Sequence, residues 1–237
     1  MLTHKMLFLY CLLLETETES LKCVPQLNVK IPKMSDLPCN SSPWNIVELP
    51  IDILLMTVED DEFLSCFSYL EKPFKSYNKN IGYVYFGSIG KEHGKKRNIG
   101  LMKCSKGSAD PGSSLSVVKD AVRLLRPKAV FSVGACSGLN CEKSKLGDVV
   151  VSAKLITPSY KTPPGRDIGN LIRHIADGWK APLENPDDQK VRVHCDGVVL
   201  SIPMSDSGRW PYEEIIKRYP EATAVEMEGG GKNFTIC

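Results

Sequence analysis

A pair of glutamates near the C-terminus is the part of the sequence best suited to chemistry. Glu226 and Glu228 flank Met227 in the run AVEMEG. A carboxylate accepts hydrogen bonds and can hold two neighbouring sugar hydroxyls, while a thioether packs against the face of a ring. In an extended segment both glutamates point to the same side, whereas in a helix they lie about 200° apart. Spacing alone favours the simpler interpretation, a solvated pair beside a core methionine.

A second acidic cluster, EDDE at residues 59–62, follows a continuous apolar run at 51–57. Four acids at the start of a helix compensate its dipole, although one or two suffice, and Thr57 is the expected N-cap. A carboxylate at the carboxyl end of a strand can instead act as general base on a water molecule. The sequence supports these two interpretations equally.

Two glycine-rich segments provide further candidate ligand contacts. The run VGACSG at 133–138 follows an apolar strand, and its glycines would let the backbone approach a ligand, although an ordinary tight turn explains it equally well. The run GSADPGSS at 107–114 opens a helix, whose N–H groups could hold an anion. Neither matches the spacing of a P-loop or a dinucleotide-binding motif.

The elements that must position these residues alternate along the chain. Apolar runs predict strands, amphipathic runs predict helices, and the residues from 156 to 168 predict a loop. Such alternation predicts an α/β fold with a mixed or mostly parallel sheet. The predicted strands are 51–57, 81–86, 99–104, 129–133, 147–152, 191–195 and 198–201, and the predicted helices are 58–70, 115–125, 171–179 and 210–218.

Composition excludes several classes of function. A formal net charge of +2 gives no electrostatic basis for binding nucleic acid or a membrane surface. Nine cysteines, an odd number without framework spacing, predict a reduced, cytoplasmic protein. The four histidines do not group with cysteines at ligand spacing, so no metal site and no cofactor is predicted.

Residues 1–48 are predicted to be a disordered leader or linker, and residues 49–237 the folded domain. The N-terminal part contains an apolar run at 6–14 and a proline-rich stretch without sustained periodicity. The apolar run is too short to span a bilayer, and the acidic residues after it argue against a cleaved signal peptide. A secreted protein is the weaker alternative.

Four motifs in this order resemble the nucleoside phosphorylase/nucleosidase superfamily, and most of all its 5′-methylthioadenosine/S-adenosylhomocysteine nucleosidase branch. They are the strand ending in the acids up to Glu62, the VGACSGL run from 133, LGDVVVS at 146–152, and YPEATAVEME at 219–228. The resemblance implies a three-layer α/β/α fold around a central mixed sheet. It also implies no cofactor, and a homodimer is compatible with it because family members commonly complete the pocket across a subunit interface.

The same resemblance implies roles for individual residues. Glu62 matches the acid that positions the attacking water. Met227 packs on the nucleoside, Glu228 binds the ribose 2′- and 3′-hydroxyls, and Glu226 is the neighbouring family acid. The turn that lines the base and ribose matches Ala135, Cys136 and Ser137. The implied reaction is cleavage of the N-glycosidic bond of a purine nucleoside such as methylthioadenosine.

The sequence departs from the family pattern at three places. Ser132 stands where phosphorylases carry a phosphate-binding arginine, which favours water over phosphate as nucleophile. The segment 201–206 lacks the aromatic residue that stacks on the base. After Glu228 the chain reads GGGKNFTIC, without the last strand, its helices and the general-acid Asp, so the resemblance implies a shortened family member.

These departures keep two other functions open. The first is a catalytically inert nucleoside-sensing or signalling module, because related domains occur fused to signalling proteins. The second is a phosphate-dependent nucleoside phosphorylase. All three interpretations depend on a sugar ring lying in one cavity between the acids near Glu62 and the Glu226–Glu228 run.

Overall fold

The computed structural model describes residues 5–12, 27–90, 95–105, 114–139, 144–145, 147–157, 161–163, 166–185, 191–202 and 212–226. Two compact units divide the chain, the first built mainly from residues 31–134 and the second mainly from 135–227. Strand β7 (Ala129–Gly138) contributes residues to both units.

The first unit is a mixed sheet with helices. Its strands follow the order β7, β3, β6, β5, β4, β2, in which β3 pairs in parallel with β6 and β7 while β5 pairs antiparallel with β4 and β6. Its strands are β2 (Ser41–Ser42), β3 (Ile53–Thr57), β4 (Glu71–Asn78), β5 (Gly82–Ile89) and β6 (Arg97–Lys103), and its helices are α1 (Asp60–Phe67) and α2 (Ser114–Leu125).

The second unit continues from β7 with parallel and antiparallel pairs. β11 pairs antiparallel with β7 and in parallel with β10, and β10 pairs in parallel with β8. β1 and β9 pair antiparallel with β8. The elements are β1 (Lys5–Leu12), β8 (Val149–Ile156), β9 (Lys161–Thr162), α3 (Arg166–Ile172), β10 (Val193–Ser201), α4 (Tyr212–Arg218) and β11 (Ala224–Glu226).

Apolar side chains on both units explain where the helices pack. In the first unit Phe63, Leu64 and Phe67 of α1 form a buried cluster with Ile99 and Leu101 of β6. In the second unit the core cluster joins apolar residues of β8, β10, α4 and β11: Ile156, Leu200, Ile215 and Val225. The predicted α/β class with a mixed sheet and flanking helices is therefore confirmed.

Several local predictions are wrong, each for a physical reason. The glycine-rich run at 133–138 is not a turn, since β7 continues through it and pairs with β11. The strands predicted at 191–195 and 198–201 are a single strand, β10, whose register shifts at Gly197. The helix predicted at 171–179 lies earlier, at Arg166–Ile172, and begins inside the predicted loop; its buried face is Ile168 and Ile172.

Strands β1, β2, β4, β9 and β11 were not predicted, and the longest stretch among them with a clear physical reason is β4. β4 lacks apolar alternation and contains Pro73, which normally argues against a strand. The structure accommodates this proline where the register between β4 and β5 shifts, between Glu71 and Phe74.

Within the predicted leader, Lys5–Leu12 form β1 and the 3₁₀ turns Met34–Asp36 and Trp44–Ile46 follow. The domain boundary near residue 48 stays a prediction.

Candidate functional site

The side chain of Glu62 is fixed at the N-terminus of α1. Its Oε2 accepts hydrogen bonds from the backbone N–H groups of Val58 and Glu59, each at 2.9 Å. Glu59 is the N-cap and forms a capping box with Glu62, so the expectation that Thr57 caps this helix is wrong. The half-buried Glu62 carboxylate thus has one oxygen committed to the backbone and a fixed orientation.

Strand ends of the first unit meet next to this helix terminus. Thr57 and Lys103 are register partners at the carboxyl ends of β3 and β6. The ammonium group of Lys103 forms an ion pair with Asp60 in the first turn of α1. The Thr57 hydroxyl donates to the carbonyl of Met102 at 3.4 Å, so it forms a hydrogen bond to β6 and does not cap the helix. Carboxyl ends of parallel strands are where open α/β sheets bind ligands.

A cysteine lies one helical turn after Glu62. Burial, and secondarily the negative charge of Glu62, raise the pKa of the Cys66 thiol to about 12. Burial alone raises the pKa of Cys104 to about 12. Since the thiolate is the reactive form, neither thiol is suited to act as a nucleophile near neutral pH.

In the second unit, β11 brings Glu226 beside the predicted ligand-lining run of β7. Ser137 is the register partner of Val225, and Gly138 that of Ala224. Because side chains alternate along strands, Cys136 shares the face of Ala224 and Glu226, whereas Ala135 and Ser137 share the face of Val225. The run therefore presents its side chains to both faces of the sheet.

Glu226 is buried to an unusual degree for a carboxylate, with 1% of its surface exposed. Its parallel register partner on β10 is Ser201, which is also buried. Ionisable side chains are almost never fully buried unless they are paired or hydrogen-bonded. A solvated glutamate, the simpler interpretation of this position, is therefore wrong for Glu226.

Met227 and Glu228 lie outside the described residues. So do residues 106–113, which contain most of the second glycine-rich run, and residues 203–206 of the segment that lacks the base-stacking aromatic residue. Of the predicted site residues, Ala135, Cys136, Ser137 and Glu226 thus lie on the paired strands β7 and β11, and of the three on β7 only Cys136 shares the sheet face of Glu226. Glu62 belongs to the first unit.

Sequence reasoning missed a buried acid–histidine pair in the second unit. Asp148 lies 2.9 Å from Nε2 of His194 and accepts hydrogen bonds from the backbone N–H groups of Arg192 and Lys145. Burial raises the pKa of Asp148, but the hydrogen bonds from His194 and these two N–H groups outweigh it and leave the pKa lowered. The pair ties the starts of β8 and β10 together. The only signal in the sequence was the Gly-Asp dipeptide before an apolar run.

Ser132 occupies a fully buried position on β7, opposite Met56 of β3. Its hydroxyl has no hydrogen-bond partner among the described residues. A neutral side chain in an apolar layer cannot supply the charged, bidentate contact that arginine gives to phosphate.

The described part of the chain lacks two features that would indicate other functions. It contains no group of three or more His, Cys, Asp or Glu residues placed to hold a metal ion. It also contains no helix that is long and apolar enough to cross a membrane.

Comparison with known proteins connects the fold to enzymes of nucleoside cleavage. No protein-family model matches the chain. A death domain-containing ATP nucleosidase from Amphimedon queenslandica is 26% identical over 214 residues, which cover 76% of this chain and 39% of that protein. The chain therefore spans less than half the length of this curated relative.

Solved structures give a broader match. The 5′-methylthioadenosine/S-adenosylhomocysteine nucleosidase of S. pneumoniae, solved with a transition-state inhibitor, superimposes with a TM-score of 0.54 at 15% identity, over 75% of this chain and 76% of that one. The S-adenosylhomocysteine nucleosidase of Streptococcus pyogenes, in complex with 5-methylthiotubericidin, gives a TM-score of 0.53 at 14% identity, over 77% and 75%. A Colwellia psychrerythraea nucleosidase in complex with adenine gives 0.53 at 13% identity, over 75% and 73%. At these identities the similarity establishes the fold.

Proposed function

We propose that this chain, which has the fold of the nucleoside phosphorylase/nucleosidase superfamily, cleaves the N-glycosidic bond of an adenine nucleoside or nucleotide. The observation that carries the proposal is the buried carboxylate of Glu226 at the carboxyl end of β11, two residues before Glu228. Burying an ionisable side chain at a strand end costs free energy of folding unless its interactions compensate, which makes Glu226 a candidate for a functional role.

The proposed chemistry assigns the sugar to the end of β11. The carboxylate of Glu228 accepts hydrogen bonds from the ribose 2′- and 3′-hydroxyls, with Glu226 as the neighbouring acid. Met227 packs its thioether against the nucleoside. Cleavage of an N-glycosidic bond passes through an oxocarbenium-like state, so carboxylates that hold the sugar also stabilise its developing positive charge.

Glu62 is proposed to position the attacking water. Its Oε2 accepts hydrogen bonds from two backbone N–H groups of the helix terminus, which fixes the orientation of the carboxylate. A general base works best when its orientation is set before the substrate arrives. The capping role and the catalytic role therefore belong to one oriented carboxylate.

Water is the proposed nucleophile rather than phosphate. Ser132 places a neutral, fully buried hydroxyl where a phosphate-binding side chain would need a positive charge. Without an arginine at this position, the site lacks the charged bidentate hydrogen bonds that bind phosphate most strongly.

Three adenine-containing candidate substrates follow from the relatives. The solved neighbours are named for methylthioadenosine and S-adenosylhomocysteine, and the curated relative is named for ATP. They share the adenosine group and differ in the substituent at the 5′ position. We therefore place the common adenosine group in the proposed site and leave the 5′ substituent to the assay.

A second candidate is binding without turnover. The segment 201–206 lacks an aromatic residue to stack on the base, so the base would be positioned less firmly for cleavage, which favours slow turnover or none.

Adenine release measured by HPLC separates these functions. The purified chain is incubated with adenosine, methylthioadenosine, S-adenosylhomocysteine or ATP, each with and without phosphate. The proposal expects free adenine from at least one of them in the absence of phosphate. No adenine from any of the four, together with calorimetric evidence that a nucleoside binds, would establish the inert module instead.

A further inference from the structure

A cavity of about 530 Å³ lies in the first unit, and its lining includes Phe63 and Lys103 beside the helix terminus that carries Glu62. It is bounded by α1, the start of α2, β5 and the turn between β4 and β5, and none of the described candidate residues lines it. Its volume lies within the range of about 300–1,000 Å³ that is usual for small-molecule sites.

Aromatic rings form one wall of this cavity. Phe63 and Tyr85 contact each other edge to face, with ring centroids 5.0 Å apart. Tyr83 lies two residues before Tyr85 on β5 and also lines the cavity. Tyr83 is 54% exposed, which is unusual for a side chain that can bury so much apolar surface. The rings are held in place, since Tyr77 packs against Tyr83 at 5.1 Å and the Lys75 ammonium lies 5.3 Å from the Tyr83 ring centroid.

Positive charge lies at the rim. Lys79, Asn80 and Lys103 line the cavity, and Lys103 is paired with Asp60. Within the described part of the chain no carboxylate lies within ion-pair distance of the exposed Lys79. The rim thus offers one uncompensated ammonium group and one amide beside an aromatic wall.

The turn that carries Lys79 and Asn80 is preorganised. The N–H of Asn80 donates to the side-chain oxygen of Asn78 at 3.0 Å, and the N–H of Ile81 donates to the Asn78 carbonyl at 3.2 Å. Gly82 has a φ of +78°, a backbone conformation that residues other than glycine rarely adopt. A fixed turn reduces the entropy lost when these side chains bind a ligand.

From the aromatic wall and the cationic rim together, we propose that this cavity binds a small planar aromatic molecule that carries a phosphate or carboxylate group. The planar group packs against Tyr83 and Tyr85, and the anionic group reaches Lys79 and the amide of Asn80. Burial, and secondarily Tyr83, raise the pKa of Tyr85, so its hydroxyl stays protonated and can donate a hydrogen bond. The proposal is independent of the proposed cleavage reaction.

Calorimetric titration with 1-naphthyl phosphate tests this site, because the probe has no ribose for the proposed nucleoside site to hold. Two control compounds each carry only one of its groups: the neutral analogue 1-naphthalenemethanol has the planar ring, and inorganic phosphate has the anion. The proposal expects the probe to bind at least about tenfold more tightly than either control compound, since each contact contributes on the order of a factor of ten.

Matched variants locate the binding. Tyr83→Ala and Lys79→Gln, both at exposed positions, are expected to weaken the probe about tenfold each. Tyr69→Ala and Lys119→Gln remove an exposed tyrosine and an exposed lysine that do not line the cavity, and are expected to leave the affinity unchanged. No binding of the probe, or equal binding by all four variants, would overturn the proposal, whether or not the chain releases adenine.

Discussion

Glu226 on β11 and Ser201 on β10 are partners in a parallel register, and both side chains are buried. The residues before them on the two strands, Leu200 and Val225, belong to an apolar core. Ile202, which follows Ser201, belongs to the same core, so Ser201 and Glu226 are two neighbouring buried polar side chains beside it. An open α/β sheet places its ligands at this edge of its parallel strands.

A substitution at Glu62 separates capping from catalysis. Glu62→Gln keeps an oxygen that can accept from the N–H groups of Val58 and Glu59, but removes the base. We expect adenine release to fall about 10²- to 10⁴-fold, because general-base catalysis contributes that much. The measurement is kcat by HPLC, with the thermal unfolding midpoint measured in parallel.

The control for that experiment is Glu59→Gln, which changes the other member of the capping box. Glutamine keeps a side-chain oxygen that can accept the same hydrogen bond at the N-cap, so we expect the unfolding midpoint and the rate to change little. Equal loss of activity in both variants would mean that the acids act only on helix stability.

Phosphate is expected not to participate in the reaction. Since Ser132 cannot provide a charged grip, saturating phosphate should change the rate of adenine release by less than about twofold. The sugar product should be the free sugar, which ¹H and ³¹P NMR distinguish from its 1-phosphate. Accumulation of a sugar 1-phosphate would show that another group holds phosphate and that the chain is a phosphorylase.

The buried pair of Asp148 and His194 predicts a pH dependence of stability. The folded pKa of Asp148 is lowered, so the stability that its charge contributes is present above the unfolded pKa of about 3.9 and is lost as pH falls through the folded value. We expect the free energy of unfolding to decrease more steeply between neutral pH and about pH 3 in the wild type than in Asp148→Asn.

At neutral pH, Asp148→Asn should lower the free energy of unfolding by about 2 kcal/mol, the size of a charge-assisted hydrogen bond. Denaturant unfolding at several pH values measures both quantities. Parallel pH profiles for the two proteins would show that the pKa of Asp148 is the same in the folded and unfolded states, which would contradict the prediction.

Gly197 is required by the close approach of β8. A Cβ at this position would lie 2.3 Å from Cγ1 of Val150 and 3.0 Å from the carbonyl oxygen of Val151. Gly197→Ala should therefore lower the free energy of unfolding by about 1–3 kcal/mol. Adding Val150→Ala removes the nearer atom, so the double variant should lose less than the sum of the two single losses. Strict additivity would contradict the predicted contact.

The sequence was sufficient for the fold class because its apolar runs have lengths and flanking residues typical of buried strands. It was less informative where tertiary pairing decides the local structure. The glycines at 134 and 138 favour a turn, yet pairing with β11 keeps β7 extended to Gly138. Residues of β4 carry little strand propensity, and their neighbours in the sheet supply the hydrogen bonds that hold them.

The candidate site shows the same limit. Acidic residues near Glu62 were found from their position after an apolar strand, because helix N-termini select such residues. The burial of Glu226 depends on β7 and β10, which are remote in sequence, so spacing alone favoured a solvated side chain. Asp148 and His194 are also remote in sequence, and only the parallel register of β8 with β10 brings them together.

The central claim, that carboxylates at the end of β11 hold the ribose, is tested most directly by pairing a substrate change with a residue change. The rate constant kcat/KM for adenine release is measured for the cleaved substrate and its 2′-deoxy analogue, in the wild type, Glu226→Gln and Glu228→Gln. The wild type should prefer the ribose form by about 10- to 100-fold, the value of a charge-assisted hydrogen bond, and Glu228→Gln should lose most of that preference. An equal preference for the 2′-hydroxyl in all three proteins would contradict the claim.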